Sequence, residues 1–371
     1  MRNKKTIPIT EPDLSGNELK YLTECIKSGW ISSSGAFVKK FEEKYAKYCG
    51  CKYGVSTTSG TTALHLSLVA LGIKRGDEVI VPSFTFASTI HAISYTGATP
   101  VFIDSQESTW NIDPSLIEKR ITSKTKAIMA VHLYGHPSDM GPILSIAKRH
   151  GLLVVEDAAE AHGAEYEGKK VGGIGTVGCF SFFGNKTMTT GEGGMVVTNN
   201  KKLFQRMKFL RHQAMSDKKR YYHPEIGYNY CMTNMQAAVG LAQLERLNQF
   251  IEKKRQIAKW YKDGLAGIKE LVLPPEQTWA KNIYWMYSVL LNKGSNISRD
   301  QLMERLSTYG IETRPFFYPM HLTPPYESKL RLPVAEKLAK SGMNLPSGLT
   351  LEKKDVMFVA EKIRRIFQSG S

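Results

Sequence analysis

Leu152-Leu153-Val154-Val155-Glu156-Asp157 is an apolar run closed by two carboxylates, and Ser181-Phe182-Phe183-Gly184-Asn185-Lys186-Thr187 is a small, hydroxyl-bearing turn around one lysine. The first reads as a strand ending on Asp157. Upstream, residues 16–28 and 37–48 carry amphipathic helical spacing around Trp30-Ile31-Ser32-Ser33-Ser34-Gly35. A strand at Tyr53 to Ser56 leads through Thr57-Thr58-Ser59-Gly60-Thr61-Thr62 into a helix over about 61–72. Strands follow at Glu78 to Val81, Pro100 to Asp104 and Ala127 to Val131, with helices near 87–96 and 141–150 between or after them. Strands alternating with helices at this spacing predict an α/β fold with a mostly parallel sheet between helices. Beyond it, a helical pattern runs from about 235 to 265, then a strand at Trp285 to Leu290 and helices near 299–309 and 351–367. We expect a large domain over 1–245 and a smaller C-terminal α/β domain over 246–371.

Ligand groups in such sheets gather where strands end and helices begin. Ser59 to Thr62, Ser83 to Phe86, His132 and Asp157 all fall on those edges. Gly60 allows a tight turn, and N–H groups at a helix start hold phosphate, although Ser/Thr-rich loops also cap helices. Asp157 is either a helix cap or the partner of a protonated pyridine nitrogen. Glu160, three residues on, can reach that ring's phenolic oxygen. Phe86 either lies on the ring face or joins the core. Ser181 can give its hydroxyl to the phosphate. An ordinary lysine is a solvated surface charge, yet Phe180 to Asn185 makes poor surface, so Lys186 reads as a nucleophile and proton shuttle with a lowered pKa. Together these residues spell pyridoxal 5'-phosphate (PLP) chemistry. His162 and His321 are substrate contacts or polar residues lining a cleft. His132 and His136 stand four apart, but Gly135 and Pro137 place them in a loop, so we expect no metal there.

The chain has 371 residues, with 42% hydrophobic and 23% charged content, as in an ordinary globular enzyme. No apolar run suits a membrane span. The basic start Met1-Arg2-Asn3-Lys4-Lys5 has no apolar segment behind it, so we expect a cytoplasmic protein. Five cysteines, an odd count without a Cys-x-x-Cys pair, argue against a disulfide framework, and Cys49-Gly50-Cys51 alone is poor support for zinc. The net charge is +16, but the basic residues are dispersed, which suits a polyanionic small substrate such as a nucleotide diphosphate better than nucleic acid.

The chain resembles the DegT-type nucleotide-sugar aminotransferases, PLP enzymes of fold type I, along nearly its whole length. The likeness is carried by Trp30-Ile31-Ser32-Ser33, Ser59-Gly60-Thr61-Thr62-Ala63-Leu64, Pro82-Ser83-Phe84-Thr85-Phe86 and Val131-His132-Leu133-Tyr134-Gly135. It continues through Glu156-Asp157-Ala158-Ala159-Glu160-Ala161-His162-Gly163, the Ser181 to Lys186 turn, Gly191-Glu192-Gly193-Gly194, Asn229-Tyr230 and Arg314-Pro315 to His321. Within the family it is most like the GDP-perosamine-forming branch.

The resemblance implies transfer of the amino group of L-glutamate to C4 of a nucleotide-linked 4-keto-6-deoxy sugar, with pyridoxamine phosphate formed midway and Lys186 moving the protons. It implies a homodimer with shared active sites, in which Asn229 reaches the phosphate of the partner subunit's cofactor. Trp30, Ser32, His162, Arg314 and His321 would then face the substrate. Cys231 departs from the family's usual Arg, Ala214 from a common Gly and Ser59 from a frequent Asn. The alternatives are the same reaction on a dTDP or UDP sugar, a sugar dehydratase, whose lysine is replaced by His in those relatives, and a non-catalytic regulator.

Overall fold

The computed structural model describes residues 6–368; the basic opening at Met1 to Lys5 lies outside them. In chain order come α1 (Glu18–Ser28), α2 (Ala36–Tyr48), β1 (Tyr53–Thr57), α3 (Gly60–Ala70), β2 (Glu78–Pro82), α4 (Ala87–Tyr95), β3 (Thr99–Ile103) and β4 (Thr125–Val131). Next are α5 (Met140–His150), β5 (Leu153–Asp157), β6 (Glu165–Tyr166), β7 (Lys169–Lys170), β8 (Val177–Ser181), β9 (Gly194–Thr198), α6 (Lys201–Arg211) and α7 (Asn234–Gly264). The remainder comprises β10 (Leu271–Val272), β11 (Ala280–Lys281), β12 (Tyr287–Leu291), α8 (Arg299–Thr308), β13 (Arg314–Pro315), α9 (Pro333–Ser341), β14 (Gly342–Leu345) and α10 (Lys353–Gln368).

The helices form where apolar residues recur at helical spacing. In α2, Phe37, Val38, Phe41 and Tyr45 are buried while Lys39, Lys40, Lys44 and Lys47 stay in water. α1 stops at Gly29, whose φ of 73° is the left-handed conformation that glycine tolerates best. α7 starts on a capping box in which the Thr233 hydroxyl and the Gln236 side chain each satisfy the other's backbone N–H.

A seven-stranded sheet in the order β1-β9-β8-β5-β4-β2-β3 organises the larger part of the chain. β3, β2, β4, β5 and β8 run parallel to their neighbours, and β9 alone reverses, pairing antiparallel with β8 and β1. The expected mostly parallel α/β sheet is therefore present. β8, β9 and α6 were not foreseen. β8 carries Gly178, where a Cβ would sit 2.2 Å from the Gly172 carbonyl oxygen, so close backbone approach outweighs glycine's low strand preference.

A second, antiparallel sheet, β10-β12-β14-β13, builds its own apolar cluster with α8, α10 and the last turns of α7. The 31-residue α7 serves both clusters: Ala237, Ala238 and Leu241 pack in the first, Ile257, Ala258 and Tyr261 in the second. The strand expected from Trp285 begins only at Tyr287. Tyr284 takes a left-handed φ of 50°, which breaks the extended run and turns Trp285 toward the larger sheet. Among the described residues no helix is long and apolar enough to cross a membrane.

Candidate active site

The carboxyl ends of β5 and β8 and the start of α3 surround a cavity of about 390 Å³. Its floor follows from the sheet register, since Asp157 pairs with Val131 on one side and Cys179 on the other. Ser59 caps α3 by accepting from Thr62 N–H at 3.2 Å, and Thr62 Oγ1 accepts from Ser59 N–H at 3.0 Å. Because the first turn of a helix has N–H groups without intrahelical acceptors, this cap leaves those of Gly60 and Thr61 for an anion. Ser181 closes the cradle, so tightly that a Cβ on Gly60 would lie 2.7 Å from Ser181 Cβ. Gly60→Ala is expected to weaken PLP binding about 10- to 100-fold, since an overpacked methyl costs about 1–3 kcal/mol. Fluorescence titration of the cofactor-free variant measures it.

Asp157 is buried and held at both oxygens: Thr89 Oγ1 donates to Oδ2 at 2.7 Å and Ala159 N–H to Oδ1 at 3.2 Å. Burial pushes its carboxyl upward, and the Thr89 and Ala159 hydrogen bonds oppose this, with Lys186 and His132 acting at longer range. Glu160 accepts from Tyr134 N–H at 2.9 Å and lies 3.5 Å from Lys186 Nζ. Burial raises Glu160 and lowers Lys186, while the attraction between them works against both shifts. Both directions favour the neutral pair, so the amine is available as a nucleophile.

These residues fit a phosphorylated pyridine aldehyde: an N–H cradle for the phosphate, a fixed buried carboxylate for the ring nitrogen, and an amine beside them for the aldehyde carbon. Asp157 supplies the observation, because a buried carboxylate satisfied only by a hydroxyl and an amide calls for a cationic partner.

Ser59, Gly60, Thr61, Phe86, Asp157, Glu160, Ser181, Lys186 and Arg314 all line this cavity. Phe86 stands at its mouth, more than half exposed, with its ring centroid 5.6 Å from that of Phe317. Trp30, Ser32 and Asn229 do not line it. Trp30 and Ser32 lie exposed before α2, their carbonyls accepting from the Asn234 side chain and backbone, and Asn229 is exposed in a bridge with His212.

The two histidines require correction. His162 is fully buried, with Nε2 donating to the Ser181 carbonyl at 2.8 Å and Nδ1 paired to Tyr45 Oη at 2.6 Å. Burial, with the Lys186 charge adding to it and the hydrogen bond to the Ser181 carbonyl opposing it, brings its pKa down to about 3, so it braces β8 from behind and does not line the cavity. His321 is equally buried, with Nδ1 on Ser83 Oγ at 2.7 Å. Tyr45→Phe leaves His162 Nδ1 unpaired and is expected to cost about 1–3 kcal/mol of stability, read as a lower urea midpoint.

Thr89, Trp285, Asn185 and Asn344 also line the cavity, and the sequence reading had not singled them out as site residues. Thr89 stands one helical turn after Thr85, whose hydroxyl it meets at 2.9 Å. That i, i+4 pair following a strand end was the available signal. Trp285 and Asn344 come from the second sheet's side of the chain, and no local pattern marks them.

The profile of the DegT/DnrJ/EryC1/StrS aminotransferase family matches residues 12–364. GDP-perosamine synthase of Caulobacter vibrioides is 47% identical over 359 residues, covering 96% of this chain and 97% of that protein. The enzyme of the same name from Escherichia coli O157:H7 is 48% identical over 364 residues, covering 98% and 99%. Among solved structures, the aminotransferase TlmJ from Streptoalloteichus hindustanus superposes with a TM-score of 0.94 at 30% identity, covering 99% of this chain and 100% of that one.

Proposed function

We infer the reaction from kinship and geometry together: the chain belongs to the DegT/DnrJ/EryC1/StrS aminotransferase family. It is a PLP-dependent transaminase of nucleotide-linked sugars. The substrate pair we propose is L-glutamate and GDP-4-keto-6-deoxymannose, giving 2-oxoglutarate and GDP-perosamine. The perosamine-forming relatives support this choice, and the placement of Lys186 and Asp157 in one cavity carries the PLP chemistry on which it depends.

Gly60, Thr61 and Ser181 would hold the cofactor's phosphate, Phe86 its ring face, and Asp157 the proton on its ring nitrogen. When bound, PLP accepts the electron pair left behind as the Cα–H bond breaks. Lys186 Nζ takes that proton from Cα of glutamate and later delivers one to C4 of the sugar. Glu160, beside the amine, offsets the positive charge that Lys186 carries in between. Arg314, exposed at the cavity wall, suits the diphosphate.

The reading includes a homodimer, in which exposed apolar side chains such as Ile31, Phe183, Tyr221 and Ile226 pack against a second copy and Asn229 reaches the partner's phosphate. It also assigns cofactor binding to residues 1–245 and a covering role to 246–371, in the cytoplasm. Purified protein given L-glutamate and GDP-, dTDP- or UDP-linked 4-keto-6-deoxy sugars in turn should aminate the GDP sugar. Turnover of only the dTDP or UDP sugars overturns the perosamine assignment.

A further inference from the structure

We propose that the face of the Trp285 indole is the seat of the Lys186 ammonium, making Trp285 a positioning residue that holds the proton on Nζ between its uptake and its delivery. Lys186 Nζ lies 3.8 Å from the ring centroid. The ring is fixed there from several directions. Its Nε1–H donates to the Asn185 carbonyl, the residue before Lys186, at 2.8 Å. The backbone carbonyl of Trp285 accepts from Lys254 Nζ, a buried lysine of α7, at 2.9 Å. Tyr134 lies stacked alongside, with centroids 6.3 Å apart and ring planes 22° from parallel. Trp285 is itself buried, so its orientation is set by packing and not by solvent.

The chemistry follows from what an indole can and cannot do. Its negative π-face attracts a cation within about 6 Å, and the attraction grows when water is excluded. It offers no lone pair for the proton. Glu160, 3.5 Å from the same nitrogen, does offer one and competes for it. Asp157, Glu160, Glu192 and Arg314 are the other charged groups around the cavity, and unlike the three carboxylates the ring stabilises the ammonium without being able to deprotonate it. A lysine that must carry a proton from one carbon to another gains from such a resting place. The significance for turnover rests on the transaminase reading; the seat itself does not.

The test uses full-length protein loaded with pyridoxamine 5'-phosphate, in which the Lys186 amine is free. Acetylation of Lys186 by acetic anhydride is followed across pH by peptide mass spectrometry, and its midpoint reports the amine's pKa. Trp285→Leu should lower that midpoint by about 0.5–1.5 pH units, and Trp285→Phe, which keeps a weaker face, by less. A merely structural role predicts the opposite sign, because water entering past the smaller side chain favours the charged amine and raises the midpoint. An unchanged or raised midpoint overturns the proposal. If Trp285→Leu fails to fold, Trp285→Phe decides by the same criterion. The titration is repeated without pyridoxamine 5'-phosphate: failure of the chain to bind it, with the fall intact, removes the functional reading and leaves the seat standing.

Discussion

Lys186→Ala is expected to lower turnover roughly a hundred- to ten-thousandfold, the range lost when a positioned proton-transfer group is removed. The loss should fall on both halves of the reaction, because the same nitrogen serves glutamate Cα and sugar C4. PLP uptake should persist, weakened, since Gly60, Thr61, Ser181 and Asp157 do not depend on the lysine for their own positions. Borohydride reduction followed by peptide mass spectrometry should find the label on the Ser181 to Thr187 turn of the parent protein and on no peptide of the variant. Steady-state turnover above about a hundredth of the parent rate would contradict the role of Lys186, since a lost general acid–base group costs at least that much.

Asp157→Asn should reduce turnover roughly a hundred- to thousandfold, because a preorganised charge opposite the cofactor's ring nitrogen is lost. Its second effect has the opposite sign. In the cofactor-free protein burial raises the Asp157 carboxyl above its unfolded value. The folded state therefore holds that proton more tightly than the unfolded state, and ionising the group costs stability. The cost is absent below the unfolded pKa of about 3.9, grows as pH rises to the folded value and is complete above it. Asn removes it, so the cofactor-free variant should melt higher than the parent near neutral pH, with the difference vanishing in acid. A lower melting temperature at neutral pH would show that the Thr89 and Ala159 hydrogen bonds, not burial, govern this carboxylate.

Both effects belong to one design. A site that must grip a cationic ring nitrogen keeps a charge buried that the fold alone would rather neutralise, and stability is given up for function. Glu160 and Lys186 show the same tension, since each is pushed toward neutrality by burial and pulled back by the other.

Much of the architecture was legible locally. The strand ends at Asp157 and Val131, the helix starts near Gly60 and Ala87 and the long α7 follow from apolar spacing and turn residues, which act over a few positions. β8 and β9 escaped because Gly178, Gly193 and Gly194 look like loop; at Gly194 a Cβ would lie 2.2 Å from the Ser59 carbonyl oxygen, a restriction that exists only once β9 lies beside β1.

His162 and His321 mark the boundary of what residue type can tell. A histidine near a strand end is equally suited to a substrate and to a carbonyl behind the wall, and only packing put both behind it. Trp285 went the other way: it looked like a strand residue and became the face over Lys186 because Tyr284 turns the chain. The lysine turn, the strand-end carboxylate and the phosphate loop were thus determined by short-range pattern. Which aromatic ring meets the amine, and which histidine stays dry, depended on segments a hundred or more residues apart in sequence, and such contacts are chosen by the closure of the two sheets around α7.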